Sequence, residues 1–135
     1  MKNTDRLAVS LMLLRVSVFI VMIIWTLDKF VRPEHAGVVY DKFYHLPGVG
    51  HAILAVIAAI ELLLIIGFVT GYKRKWTYGA VLVLHAISTV TSYKQYLAPF
   101  EGGNILFFAA WPMLAACYAL YIMRDQDTMW VVDSQ

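Results

Sequence analysis

The chain has little of what most soluble catalytic domains use. It contains one cysteine, Cys117, among 135 residues. A single thiol excludes an internal disulfide and a CxxC redox or metal pair, so any redox chemistry needs a partner or a cofactor. Charged residues make up only 15% of the chain, the net charge is +2, and no run of Lys and Arg interleaves with aromatic residues. This charge pattern argues against nucleic acid as a partner.

The sequence is rich instead in long apolar runs. Hydrophobic residues make up 61% of it and the mean hydropathy is +0.68, well above the level of a soluble domain. Four apolar segments of about 18 to 22 residues are each long enough to cross a bilayer of roughly 30 Å as a helix. They cover about 7–27, 49–69, 76–93 and 105–123. The pattern predicts an all-α protein, with residues 1–135 forming one integral membrane four-helix bundle in contact with the lipid bilayer.

The positive charges in short flanks predict the orientation of this bundle. Lys2 and Arg6 precede the first segment, residues 73–75 fill the second loop with basic side chains, and Arg124 follows the fourth segment. Segment 7–27 is longer than a signal-peptide core and is followed by charged rather than small residues, so we expect it to be retained. Both termini are predicted to be cytoplasmic, in a multi-pass protein of the inner (plasma) membrane.

The first loop, residues 28–48, is long and mixed in composition. Pro33 is favourable in the first turn of a helix, so this loop predicts either a short interfacial helix or a simple connector. His35, His45 and His51 lie in or near the loop without the tight spacing of a metal site. Solvated or interfacial histidines are the favoured interpretation, although the sequence leaves metal binding open. His51, near the outer mouth of the second segment, is a candidate substrate contact.

Three titratable side chains fall within the apolar segments: Arg15, Glu61 and His85. A charge at mid-membrane costs about 2.5 to 3.5 kcal/mol on insertion scales, so each needs a partner or a ligand. Counted from the predicted cytoplasmic ends, all three lie at a depth of roughly 12 to 14 Å. We therefore predict a polar cluster with an ion pair between Arg15 and Glu61. His85 would then either donate a hydrogen bond to Glu61 or titrate. Alternatively, the ion pair only holds two helices together.

A polar face follows His85 on the third segment. Ser88, Thr89 and Ser92 share one side of a helix with His85, because their spacings match its period. This face predicts a polar path or pocket open to the periplasmic side, unless the hydroxyls only bond back to their own helix. The candidate catalytic residues are Glu61 and His85, and the candidate substrate-binding residues are Arg15, Ser88, Thr89, Ser92, Asn104 and His51.

Several short motifs resemble the DoxX-like family of four-helix membrane proteins. They are Arg15 in the first segment, residues 25–33 (WTLDKFVRP), residues 61–71 (ELLLIIGFVTG) before a basic turn, and Asn104 at the start of the fourth segment. The resemblance implies a four-helix bundle associated with membrane redox chemistry, since family members include a subunit linked to thiosulfate and quinone oxidation. By position in these motifs, the resemblance implies that Arg15, Lys29, Glu61 and Asn104 are functional residues of this chain. Some related proteins depend on cysteine pairs. This chain has none, which argues against thiol chemistry by the chain alone.

Three functions are compatible with these sequence features. The first is a redox-associated subunit that binds a quinone or a small sulfur-containing substrate in an intramembrane polar pocket. In this pocket Arg15 would hold an anionic or carbonyl group of the substrate, and Glu61 and His85 would transfer protons. Such an enzyme would be an oxidoreductase subunit that needs a partner or a quinone. The second is a non-catalytic assembly subunit of a membrane complex. The third is a small proton-coupled transporter, against which the lack of an inverted repeat counts. A membrane or periplasmic protein, or a second copy, is the expected partner.

Overall fold

A computed structural model describes residues 2–45, 48 and 50–132 of the chain. This part of the chain is helical and contains no strand, which confirms the all-α prediction. The helices are α1 (Asn3–Val31), α2 (Pro33–Tyr44), α3 (His51–Val69), α4 (Arg74–Thr91), α5 (Tyr93–Leu97) and α6 (Ala110–Ile122), with 3-10 turns at Asn104–Ala109 and Arg124–Gln126. Val49, the predicted start of the second segment, lies outside the described residues.

The helix in the first loop exists and begins at Pro33, as one of the two interpretations of that loop predicts. Proline has no N–H to donate, so it cannot continue α1, but it fits the first turn of α2. Arg32 accordingly ends α1 and precedes α2. At the other end of α2, His45 adopts a left-handed conformation, with a φ of 55°, and its N–H donates to the carbonyl of Tyr40. The loop is therefore a structured part of the fold.

Three helical segments are long and apolar enough to cross a membrane: Asn3–Val31, His51–Val69 and Asn104–Ile122. These segments identify the chain as a membrane protein by their length and composition. The predicted third segment, 76–93, corresponds largely to α4, which is not among them. Arg74, Lys75 and His85 lower the hydropathy of α4. The number of crossings stays a prediction.

Helices α1, α3, α4 and α6 pack in a ring, in which α1 and α4 each contact both α3 and α6. The ring has two ends. We call the end with the α3–α4 turn, residues 70–73, the turn end, and the opposite end, which α2 covers, the α2 end. The tightly packed core lies towards the turn end and consists of Leu11, Val18, Phe68, Tyr78, Val81, Cys117 and Leu120. The half of the ring towards the α2 end is much less filled.

The C-terminal segment closes the turn end. Beyond Arg124–Gln126 the chain folds back, and the N–H of Val132 donates to the carbonyl of Thr70 over 2.8 Å. Gly71 makes this approach possible, because a Cβ there would clash with Cγ1 of Val131. Its φ of 73° also favours glycine. Local backbone geometry in the α3–α4 turn thus provides the docking surface for the C-terminal segment.

Candidate functional site

A cavity of about 1120 Å³ fills the half of the ring near the α2 end, a little above the usual range of about 300–1,000 Å³ for small-molecule sites. Most of its wall is apolar and comes from α1, α2, α4 and α6. The polar side chains that line it are Ser17, Thr26, Asp28, Lys29, His35, Tyr40, Tyr44, Glu61, His85, Ser88, Thr91 and Ser92. We call this space the central cavity.

Helix α3 contributes the carboxylate of Glu61 to the cavity wall. Its Oε2 accepts hydrogen bonds from Lys29 Nζ at 3.0 Å and from Thr26 Oγ1 at 3.2 Å. Thr26 and Lys29 are one helical turn apart on α1, so they reach the same carboxylate. The side chains of Lys29 and Glu61 are only 12% and 18% exposed. Oε1 of Glu61 accepts no hydrogen bond from the part of the chain that the structure describes, so it can serve a ligand.

The predicted ion pair between Arg15 and Glu61 is wrong, because Glu61 pairs with Lys29 and Arg15 pairs with Asp127. Thr26, which contacts Glu61, lies about 16 Å further along α1 than Arg15 at 1.5 Å per residue. The two charges therefore do not share a level. The predicted depths assumed that α3 ends level with the start of the apolar run of α1. With Glu61 opposite Thr26, the end of α3 at Val69 lies about 12 Å away and is level with residue 18 of α1.

His85 lines the cavity from α4 but is bonded to α6 rather than to Glu61. Its Nε2 lies 2.9 Å from the carbonyl oxygen of Ala110. Since a carbonyl can only accept, this contact assigns the proton to Nε2 and leaves Nδ1 of the neutral ring as an acceptor. One turn further on, Ser88 Oγ shares a hydrogen bond of 2.8 Å with the hydroxyl of Tyr44. Helix α2 is thereby tied to α4 across the cavity.

Of three other predicted substrate contacts, Ser92 lines the cavity, whereas Thr89 and Asn104 do not. Ser92 lines the cavity, although its hydroxyl donates to the carbonyl of Ser88 at 2.9 Å. Thr89 is fully buried and bonds back to the carbonyl of His85 at 2.7 Å, as the alternative interpretation of the polar face expects. Asn104 donates to the carbonyl of Ala98 at 2.9 Å and orders the preceding loop. Thr89 and Asn104 do not line the cavity.

His51 and Arg15 also lie outside the cavity lining. The imidazole of His51 is exposed on the surface, where Nε2 is 3.8 Å from Oε1 of Glu34. Arg15 lies deep in the turn end with a side chain that is 1% exposed. The substrate contact predicted for either residue therefore has no counterpart in the geometry of the central cavity.

Arg15 belongs to a buried polar network that fixes the C-terminal segment. Its Nη1 donates to Asp127 Oδ1 at 2.5 Å, and its Nη2 donates to the carbonyls of Met129 at 2.6 Å and Trp130 at 3.1 Å. The hydroxyl of Tyr78 donates to the other carboxylate oxygen of Asp127 at 2.6 Å. Arg74 adds a hydrogen bond from Nη1 to the carbonyl of Asp127 at 2.7 Å. This network makes Arg15 a structural residue.

Sequence reasoning missed Asp127 and two tyrosines. Asp127 follows the last apolar segment in a polar stretch, where nothing distinguishes it from the exposed Asp125. Tyr40 and Tyr44 come from the first loop and line the cavity because α2 folds over it. Burial, together with the charge of Glu61, raises the pKa of Tyr40 to about 12. Its phenol consequently stays protonated at neutral pH and is available as a hydrogen-bond donor.

No known protein family, curated protein or solved structure matches the chain. Within residues 2–45, 48 and 50–132, no group of three or more His, Cys, Asp or Glu side chains is placed to hold a metal ion. His35, for example, is engaged by Asp28, with Nδ1 at 2.5 Å from Oδ2.

Proposed function

We propose that the protein is a membrane redox-associated subunit that binds a quinone in the central cavity. The observation that carries this proposal is a large, mostly apolar cavity with an ion pair, Lys29 and Glu61, in its wall. A quinone has an apolar ring with carbonyl oxygens at its edge, which require hydrogen-bond donors. Lys29 and Tyr40 supply such donors within an otherwise apolar lining.

The quinone, when bound, would supply the redox chemistry, while residues of this chain would bind it and handle protons. Oε1 of Glu61 and Nδ1 of His85 are the acceptors available for that task, and both residues line the cavity. Carboxylate and imidazole groups are common proton carriers in buried sites. Cys117 is buried in α6, so electrons would come from a partner protein.

The cavity favours a quinone over a small sulfur-containing substrate. A small anion needs a cation that is not already neutralised, whereas Lys29 in the cavity wall is paired with Glu61, and Arg15 is paired with Asp127. A pure assembly subunit would not need a cavity of this size. Membership of the DoxX-like family stays a prediction based on short motifs.

We place the protein in the inner membrane with four crossings and both termini in the cytoplasm. Helix α4 packs in the same ring as the three apolar segments and connects the two ends of that ring, which supports a fourth crossing. The basic residues 73–75 lie at the junction of the α3–α4 turn and α4, at the same end as the N-terminus of α1. Positive flanks favour the cytoplasmic side.

An equilibrium titration of the purified protein with a quinone that lacks a prenyl tail tests the site. Glu61→Gln removes the charge that positions Lys29, so we expect the affinity to fall roughly tenfold or more. Glu34→Gln is the matched control, because Glu34 is exposed on α2 and does not line the cavity. Absence of binding to the wild type, or equal binding by the Glu61→Gln variant, would contradict the proposal.

A further inference from the structure

A second hollow lies on the outside of the ring, between α3 and α4. This α3–α4 groove has a volume of about 870 Å³ and an almost entirely apolar lining. Ile57, Ile60 and Leu64 line it from α3, and Trp76 and Ala80 line it from α4. Ile60 and Trp76 are largely exposed. In a membrane this surface faces lipid chains rather than water.

The α3–α4 groove leads to the central cavity. Tyr40, Glu61 and Leu84 line both spaces, so the seam between α3 and α4 is where the two spaces meet. The polar groups of the cavity thus lie at one end of an apolar channel along the bundle surface. From Lys75 to Leu84 on α4, the groove extends about 14 Å at 1.5 Å per residue.

The floor of the groove comes from α6. Tyr121 lines it, and Gly79 of α4 allows this close approach, because a Cβ at Gly79 would lie 3.3 Å from Cε2 of Tyr121. The glycine therefore lets the side chain of Tyr121, from α6, close the gap between α3 and α4. A floor of this kind favours a flexible hydrocarbon chain over water.

We infer that the α3–α4 groove holds the prenyl tail of the quinone whose ring occupies the central cavity, and that the seam beside Glu61 is the access route from the bilayer. This inference rests on the proposed function. A phospholipid acyl chain in the same groove would end against the Glu61 carboxylate and bury it in hydrocarbon, which is costly. A quinone tail begins at a polar ring and avoids that mismatch.

Comparing a tailed with a tail-less quinone tests the inference. Ala80 lines the groove, so Ala80→Phe should fill it and weaken binding of the tailed quinone roughly tenfold. Binding of the tail-less quinone should be unchanged. Ala115→Phe is the matched control, because Ala115 is exposed on α6 and lines neither space. Equal effects of Ala80→Phe on both quinones, or none, would overturn the inference.

A photoreactive group at the end of the tail provides a readout on the wild-type protein, whether or not Ala80→Phe folds. We expect cross-links to residues 57–64 or 75–84, and cross-links confined to other helices would overturn the inference. If neither quinone binds, the proposed function fails too. If the tail-less quinone binds in a Glu61-dependent manner while the tail cross-links elsewhere, only the groove assignment fails.

Discussion

The buried carboxylate of Asp127 offers the sharpest test of the fold. Asp127→Ala removes the only acidic side chain bonded to Arg15 in the described part of the chain. It also leaves the hydroxyl of Tyr78 without its acceptor. Both groups are buried, so neither recovers a hydrogen bond from water without opening the turn end. The remaining bonds from Arg15 to Met129 and Trp130 are to neutral carbonyls.

The expected loss follows from these contacts. Removing one partner of a buried ion pair costs about 3 to 5 kcal/mol, because the other charge stays buried. Tyr78→Phe removes only one hydrogen bond to the carboxylate, so it should cost about 1.5 to 3 kcal/mol. Replacing Arg15 and Asp127 together with Met and Leu should cost less than Asp127→Ala alone, since the charge of Arg15 is removed with its partner. The loss that remains is that of Tyr78, whose buried hydroxyl still lacks its acceptor.

The assay is reversible unfolding in mixed detergent micelles, followed by far-UV circular dichroism. Asp125→Ala is the matched control, because Asp125 lies in the same short 3-10 turn but is exposed. Its free energy of unfolding should stay within about 0.5 kcal/mol of the wild type. If Asp127→Ala proved as mild as Asp125→Ala, the buried network would not hold the C-terminal segment and our assignment of Arg15 would be incorrect.

Three further predictions concern the turn, the cavity wall and the topology. Gly71→Val should cost about 1 to 3 kcal/mol and speed proteolysis of the C-terminal segment, because its φ is positive and Val131 leaves no room. Lys29→Met should destabilise the fold by about 1 to 2 kcal/mol, and adding Glu61→Met should recover most of the loss in the same unfolding assay. An impermeant maleimide should label Glu101→Cys in intact cells but Thr4→Cys only after permeabilisation; labelling of both from one side would mean that α4 does not cross.

The helices could be predicted from the sequence because apolar runs of membrane length leave few alternatives to a helix. Pro33 also indicated where α2 begins, since proline cannot continue α1. The exact ends of α1 could not be predicted, because helical structure continues through polar residues such as Asp5 and Lys29 beyond the apolar run. The sequence also does not encode how far α3 is displaced along α1, and this displacement, which places Glu61 beside Thr26, explains why Arg15 and Glu61 are apart.

The site was predictable only in part. Glu61 and His85 were identifiable because ionisable groups in apolar helices need partners, and both line the central cavity. Their partners were not identifiable: Lys29 is at the end of α1, and Ala110 contributes only a backbone carbonyl. The same holds for Ser88, whose partner Tyr44 comes from the first loop. Such contacts depend on how α2 and α6 pack, which no local sequence pattern encodes.

Quantifying quinone in the protein purified from its own membranes tests the central claim most directly. We expect the wild type and Glu34→Gln to retain a quinone in near-stoichiometric amount through mild detergent, and Glu61→Gln to lose most of it at equal yield and helicity. A wild-type protein without quinone, or a Glu61→Gln variant that retains as much, would contradict it.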